Sequence, residues 1–312
     1  MDKLVWVLIF PLLLSGCGLI RYSDYEGGEV WCSDRYLHDL PAPFGEKQLR
    51  IARRGYIYAL ASTLVLQGGR PEDRDHYFAR PARLKEVDRP VRDRSGFEVA
   101  TFELYSQKDP VDLQEIIIAF TGSNDLDDWW ETNLLFSKSQ FKLAVRYVQQ
   151  IHNRYPNERL VVAGYSLGGA LAVHVAKNPI TKSFISEVWA LNPSPKSYSN
   201  SKMDARIWLA ADDDDAAKIL RWPIFRILPG IYRIGAYEDQ TAEDYYLVES
   251  NNIYGHFRWV LTRNLLFAAD LAIYKENGAE ITEPLAILKK SHFEACPTHR
   301  GVAESGNDSD RP

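Results

Sequence analysis

The chain lacks several features, and each absence excludes a class of protein. It has no excess of basic residues, since 37 Lys and Arg residues stand against 42 Asp and Glu residues for a net charge of −5. Nothing in it therefore suggests nucleic-acid binding. The apolar run at residues 4–14 is shorter than the about 20 residues that a membrane span requires. No internal repeat is apparent. What the chain does have is a 46% hydrophobic and 12% aromatic composition, which is ample for one large α/β domain.

The N-terminal residues have the pattern of a signal peptide, with a short apolar core followed by Ser15-Gly16-Cys17. Residues 14–17 resemble the bacterial lipobox, in which the cysteine becomes the diacylated first residue of the mature chain. Gly18 is not the aspartate linked to inner-membrane retention. The resemblance implies a signal peptide at residues 1–16 and an outer-membrane lipoprotein anchored through Cys17 that faces the periplasm. A plain secretory signal cleaved nearby is the alternative.

Only three cysteines are present, and they limit the disulfide chemistry of the chain. If Cys17 carries lipid, Cys32 and Cys296 remain as an even pair in an oxidising compartment. A disulfide between them would close almost the whole fold. Two separate thiols are the alternative, because pairing requires Cα atoms within about 7 Å. Residues 297–312 hold few apolar side chains and predict a disordered tail, which leaves a single domain at residues 17–296.

Apolar strands alternate with amphipathic helices along the chain. Apolar residues at helical spacing predict helices over residues 46–66 and 141–151. Short apolar runs predict strands at residues 97–104, 115–120, 159–163, 187–191 and 206–210. Residues 68–96 are charged and proline-punctuated, and they predict a long surface excursion. The alternation predicts an α/β fold with a mostly parallel central sheet and helices on both faces.

Residues 159–176 have the pattern of a nucleophile elbow, in which a β-branched strand leads through Gly-Tyr-Ser-Leu-Gly (residues 164–168) into a helix. In that context the serine lies on a sharp turn, and its hydroxyl projects above the sheet. The two glycines let neighbouring backbone pass where a Cβ would clash. The helix N-terminus adds partial positive charge where an oxyanion develops. The segment predicts a serine hydrolase with Ser166 as nucleophile.

A second motif, Thr121-Gly122-Ser123, ends the predicted strand at residues 115–120. Functional groups gather beyond the carboxyl ends of strands in an open α/β sheet. A glycine there lets a backbone N–H approach a ligand. We assign the N–H groups of Ser123 and Leu167 as the oxyanion donors. Taken alone, this motif is also compatible with a simple turn.

The two motifs together resemble the class 3 lipases, with Asp-Asp-Trp at residues 127–129 and Asn-Leu at residues 133–134 between them. These are α/β-hydrolases related to the fungal triacylglycerol lipases, and the resemblance covers residues 97–266. It implies the α/β-hydrolase fold and a triad in the chain order Ser-Asp-His. Two positions depart from the family, since Thr121 stands where an arginine is usual and Tyr165 where a histidine is usual.

The triad acid is expected in the aspartate run at residues 212–215, which follows the strand at residues 206–210. Asp212 matches the family position best, and Asp213 is the alternative. The run also suits an acidic helix N-terminus. Metal binding is a further interpretation, although a compact run lacks the spaced oxygens of an EF-hand loop.

The triad base is expected at His256, which follows the acid in the chain and precedes an apolar, helix-like stretch. His292 is the alternative, whereas His299 falls in the predicted tail. His174 lies two turns along the helix after Ser166, where it is expected to pack or to be solvated. Ser166 would then attack an ester carbonyl while His256 takes its proton, and water would release the acyl group. This chemistry needs no metal or organic cofactor.

The expected substrate is a lipid or another acyl ester, because the predicted anchor at Cys17 would bring enzyme and membrane together. Residues 218–233 are apolar, aromatic and basic, a composition that suits either a buried connection or a lid at a membrane interface. Two other functions stay open. One is a non-catalytic hydrolase-fold lipoprotein that acts as an envelope binding module. The other is an esterase or thioesterase for small soluble substrates.

Overall fold

The computed structural model describes residues 44–67, 77–91, 95–122, 138–213, 233–245 and 258–291 of the 312-residue chain. Five helices form in these residues: α1 (Glu46–Gln67), α2 (Lys138–Arg154), α3 (Leu167–Lys177), α4 (Arg258–Asn277) and α5 (Glu283–Lys290). A short 3₁₀ turn covers Glu238–Gln240. The strands are β1 (Leu84–Asp88), β2 (Val99–Tyr105), β3 (Leu113–Phe120), β4 (Leu160–Tyr165), β5 (Ile185–Leu191), β6 (Ile207–Asp212) and β7 (Thr241–Tyr245).

The seven strands form one sheet in which spatial order follows chain order. β1, β2 and β3 pair antiparallel, and the pairs from β3 to β7 are all parallel. In register, Phe120 at the end of β3 pairs with Gly164 near the end of β4. The carboxyl ends of the parallel strands therefore lie along one edge, as the sequence predicts for the catalytic groups.

Hydrophobic side chains cover both faces of this sheet. The β3 residues Ile117 and Ala119 pack in the core beneath α1 and α4, whereas Ile116 and Ile118 pack in the core beneath α2 and α3. This alternation is the period of a strand buried on both faces. The predicted mostly parallel sheet with helices on both faces is confirmed.

Helix α1 packs tightly on the sheet and against α4. Gly55 faces the ring of Trp189 so closely that a Cβ there would lie 2.3 Å from Cζ3. The Trp189 ring stacks on Trp208 at 5.4 Å between ring centroids. On the other side, the buried hydroxyls of Thr63 in α1 and Thr262 in α4 lie 2.7 Å apart. These two helices, distant in sequence, form one layer of the fold.

Buried charges collect at the amino ends of the parallel strands, on the edge opposite Ser166. Glu187 accepts hydrogen bonds from Arg54 Nη2 at 2.6 Å and from the Trp189 indole at 2.9 Å. Arg159 contacts the carboxylates of both Glu187 and Glu115. Burial raises the pKa of the Glu115 carboxyl above its ordinary value.

The expectation of a surface excursion over residues 68–96 is wrong in part, because β1 forms at Leu84–Asp88. Of its five residues only Leu84 is fully buried, so the strand carries no apolar alternation. β7 was likewise not predicted. Its sequence, Thr-Ala-Glu-Asp-Tyr, buries only Ala242 and Tyr245. Both are edge strands, whose side chains need not be apolar.

The boundaries predicted for the signal peptide, the domain and the tail fall on residues outside the described ranges and stay predictions. Among the described helices, none combines the length and the apolar character that crossing a membrane requires.

Candidate active site

Ser166 lies on the turn between β4 and α3 and has φ 55° and ψ −117°. Residues with a side chain rarely adopt this backbone conformation, which costs about 1–3 kcal/mol. Hydrogen bonds hold the turn in place. The Ser166 N–H donates to Leu191 O at 2.9 Å, and Ser166 O accepts from the N–H groups of Ser194 at 3.0 Å and Ala170 at 3.2 Å. The Ser166 side chain does not cap α3.

The two glycines of the elbow are required by close backbone contacts. A Cβ on Gly164 would lie 2.2 Å from the carbonyl carbon of Gly168. A Cβ on Gly168 would lie 2.3 Å from the carbonyl oxygen of Phe120 at the end of β3. None of these neighbours is a flexible side chain, so neither glycine tolerates a larger residue without movement of the backbone. The steric role predicted for both glycines is confirmed.

The end of β3 reaches the serine directly. A Cβ on Gly122 would lie 2.9 Å from both Ser166 Cβ and Tyr165 O. Thr121, one of the two positions that differ from the class 3 lipase pattern, is buried, and its hydroxyl donates to Gly122 O at 2.9 Å. The Thr121 side chain thus holds the carbonyl of Gly122, the residue that lies against Ser166.

One of the two predicted oxyanion donors lies in the described part of the chain. Leu167 is the first residue of α3, and no described group accepts a hydrogen bond from its N–H. A free N–H at a helix N-terminus, next to the nucleophile, suits an oxyanion. Ser123, the other predicted donor, lies outside the described residues.

The two candidate acids differ in their surroundings. Asp212 is the last residue of β6 and is 2% exposed. Asp213 is exposed, and its N–H donates to Tyr245 O on β7 at 2.9 Å. A triad acid has to be held rigidly and shielded from water, so the geometry favours Asp212.

Two asparagines contact the Asp212 carboxylate. Asn192, directly after β5, donates from Nδ2 to Asp212 Oδ2 at 3.3 Å and to Tyr165 Oη at 3.1 Å. Its Oδ1 accepts from the Asp212 N–H at 2.9 Å. Asn264 on α4 donates from Nδ2 to Asp212 Oδ1. Neither asparagine belongs to a motif that predicts a catalytic role. The signals that mark them are the Asn-Pro-Ser-Pro sequence that begins at Asn192 and the polar position of Asn264 among apolar residues of α4.

Several predicted site residues lie outside the described residues: His256, His292, His299, Cys17, Cys32, Cys296, Asp214 and Asp215. The same holds for the candidate lid at residues 218–233, apart from Arg233. The catalytic base, the lipidation site and the disulfide therefore stay predictions, as do the catalytic roles of Ser166 and Asp212. Within the described residues, no three His, Cys, Asp or Glu side chains come together as a metal site.

Two histidines in the described residues pack against neighbouring side chains. The His174 ring contacts Phe141 edge to face, and its Nδ1 lies 3.0 Å from Ser197 O. Burial lowers the pKa of His174. His152 stacks on Phe184 with ring centroids 3.8 Å apart. Of the two alternatives expected for His174, packing or solvation, the structure shows packing.

The sheet and the serine turn define an α/β-hydrolase fold. A family model described as Mbeg1-like matches residues 85–197, less than half of the chain. The match includes the Ser166 turn and ends before Asp212. A comparison with curated proteins finds no match.

Solved structures similar to this chain include three lipases. A triacylglycerol lipase from Penicillium expansum is 14% identical with a TM-score of 0.40, over 65% of this chain and 83% of that chain. The Rhizomucor miehei lipase–propeptide complex is 13% identical with a TM-score of 0.42, over 72% of this chain and 80% of that chain. The Lip2 lipase of Yarrowia lipolytica is 12% identical with a TM-score of 0.36, over 60% of this chain and 77% of that chain. At these identities the likeness concerns the fold alone.

Proposed function

We propose that this protein is a serine hydrolase that cleaves carboxylic esters of lipids or phospholipids. Ser166 acts as the nucleophile, His256 as the general base and Asp212 as the acid that orients the imidazole. The observation that carries the proposal is the strained turn at Ser166, with φ 55°, seated against Gly122 at the end of the neighbouring strand. Strain of this kind persists where the surrounding structure enforces it, and it is concentrated at active sites.

The chemistry follows from the groups at this edge of the sheet. Ser166 Oγ forms a bond to the ester carbonyl carbon as its proton passes to His256, and the carbonyl oxygen takes the negative charge. The N–H groups of Leu167 and Ser123 stabilise that oxyanion. His256 then protonates the leaving alcohol. Water attacks the acyl-enzyme with His256 again as base, and the carboxylic acid departs.

A lipid substrate is supported by the resemblance of the two motifs to the class 3 lipases and by the lipobox-like N-terminus. An enzyme anchored through Cys17 shares a surface with membrane lipids, which raises the local concentration of substrate.

Labelling of the whole chain with a fluorophosphonate probe tests the proposal. We expect covalent labelling of the wild type, mapped to Ser166 by peptide mass spectrometry, and none in Ser166→Ala. Ser201→Ala is the matched control, because Ser201 is an exposed serine outside the elbow turn. Absence of Ser166-dependent labelling would refute the hydrolase and favour the non-catalytic binding module.

Ester chain length tests the substrate class. We expect faster hydrolysis of long-chain esters in micelles and of phospholipid vesicles than of soluble short-chain esters. Turnover confined to short soluble esters or thioesters would favour the small-substrate esterase instead.

We further propose that the protein is a lipoprotein of the bacterial envelope, anchored through Cys17 to the periplasmic face of the outer membrane. Incorporation of an alkyne-tagged fatty acid in a bacterial host tests the anchor, with Cys17→Ser as the variant and Cys32→Ser as the control. Labelling that survives in Cys17→Ser would contradict it. Recovery of the labelled protein in the inner-membrane fraction would contradict the location.

A further inference from the structure

We propose that Asn192 and Asn264 are positioning residues that hold the Asp212 carboxylate in the orientation its base requires. This inference rests on the proposed function, since it assigns a role relative to the triad acid. Its basis is that two buried side-chain amides, one from the loop after β5 and one from α4, each donate to a different oxygen of the same carboxylate.

Asn192 holds Asp212 at both its backbone and its side chain. Its Oδ1 accepts from the Asp212 N–H at 2.9 Å, and its Nδ2 donates to Asp212 Oδ2 at 3.3 Å. The Asn192 N–H itself donates to Ala210 O on β6 at 2.9 Å. Asn192 is 0% exposed, so these bonds form away from water. Together they fix the direction in which the carboxylate leaves the strand.

The backbone at Asn192 explains why an asparagine serves here. Its φ is 39°, in the left-handed region that disfavours most residues with a side chain. Asparagine is among the few residues that visit this region readily. Its side-chain amide also supplies both an N–H donor and a carbonyl acceptor, whereas an ionised aspartate only accepts hydrogen bonds.

Neutral amides have a specific advantage next to a triad acid. An ionised carboxylate only accepts hydrogen bonds, and amide N–H groups satisfy its oxygens without adding positive charge. An arginine or lysine at the same place would compete with the imidazolium for the carboxylate. With amide partners, Asp212 retains its negative charge for the base, the electrostatic role that the mechanism requires of it.

The same loop also connects the acid to the nucleophile. Leu191 and Ser194, on either side of Asn192, bond to the N–H and the carbonyl of Ser166. Asn192 Nδ2 also donates to the hydroxyl of Tyr165, the residue before the serine. A displacement at Asn192 is therefore transmitted to both Asp212 and Ser166.

The test replaces each amide by a carboxylate of the same shape, through Asn192→Asp and Asn264→Asp in the full chain. Each change turns a donor into a second negative group against Asp212, which disfavours the native orientation. We expect kcat on a soluble ester to fall about 10- to 100-fold with KM within about twofold, because the acid acts on chemistry and not on substrate binding. Thermal melts show whether the variants fold. If Asn192→Asp does not fold, Asn264→Asp tests the other oxygen of the carboxylate.

A further variant serves as the control. Asn200→Asp changes an exposed asparagine in the loop after Asn192 and is expected to retain wild-type kcat. Wild-type kcat in folded Asn192→Asp and Asn264→Asp would overturn the inference, as would an equal loss of kcat in Asn200→Asp. Absence of Ser166-dependent labelling in the wild type would instead refute the proposed function itself.

Discussion

Gly122→Ala is expected to lower the reactivity of Ser166 while leaving the fold intact. The added Cβ would lie 2.9 Å from Ser166 Cβ and from Tyr165 O, whereas ordinary contacts begin at 3.4 Å. The strand end and the serine turn must therefore separate by about 0.5 Å, and neither neighbour is the end of a flexible side chain.

The loss of rate follows from the size of that displacement. A misplacement of about 1 Å costs on the order of 100-fold in rate. A displacement of half that distance between Ser166 and the end of β3 predicts a loss of about 10-fold or more in the labelling rate. The net loss of stability should not exceed about 2–3 kcal/mol, because overpacking costs about 1–3 kcal/mol and replacing glycine returns about 0.4–1 kcal/mol through the unfolded chain.

Gly55→Ala is expected to have the opposite effect, a loss of stability without a loss of serine reactivity. Alanine in a helix interior gains about 0.5–1 kcal/mol over glycine. Here the Cβ would lie within 3.0 Å of three atoms of the Trp189 ring, so the overpacking of about 1–3 kcal/mol dominates. We expect a lower melting temperature and an unchanged labelling rate at 25 °C.

Both variants are assayed by the second-order rate of fluorophosphonate labelling and by thermal melts. Gly45→Ala is the matched control, since its Cβ meets only the end of the Gln48 side chain, at 3.3 Å. A folded Gly122→Ala protein that labels at the wild-type rate would refute the idea that the end of β3 is part of the site.

Three further variants test the scaffold. Gly164→Ala should give no soluble folded protein in expression trials, because its Cβ meets the backbone of Gly168 at 2.2 Å, and a wild-type melt would contradict the elbow geometry. The hydrogen bond from Arg206 lowers the pKa of Asp204, so its stabilisation is present above pH 3.8 and is lost as pH falls through the lowered pKa. Asp204→Asn should be less stable than wild type by about 1 kcal/mol at pH 7 in urea unfolding, with the difference closing towards pH 3. Burial raises the pKa of Glu115, so its contribution is most favourable at low pH and falls as pH rises through the raised pKa. Glu115→Gln should therefore gain in stability relative to wild type as pH rises above the ordinary carboxyl pKa of 4.5, and a difference that stays constant during this rise would contradict the raised pKa.

The parts of the fold that the sequence predicts are those with strong apolar patterns. β3 is buried from Glu115 to Phe120 and β4 over its whole length, and the elbow adds glycines whose spacing has a steric meaning. β1 and β7 could not be predicted in this way. As edge strands they are stabilised by pairing with a neighbour, and their sequences carry charged residues at three of five positions in β1 and at two of five in β7.

The candidate site could be predicted only where one residue type carries the chemistry. Ser166 and Asp212, the proposed nucleophile and acid, stand out because such groups belong to few residue types and are expected at strand ends. Asn192 and Asn264 are 72 positions apart in the numbering, and only the folded chain brings both to one carboxylate. The role proposed for Asn192 depends on a left-handed backbone, and that proposed for Asn264 depends on how α4 is rotated about its axis. Neither feature can be predicted from local sequence patterns.

The pairing of α1 with α4 also constrains the order in which the protein can fold. α1 precedes every strand of the described sheet and α4 follows the last one, so their contact joins segments about 200 residues apart. During synthesis the face of α1 that packs on α4 is not covered by that helix until α4 has left the ribosome. Half of the core therefore closes late, and the growing chain passes through a stage in which it exposes apolar surface and is prone to aggregate.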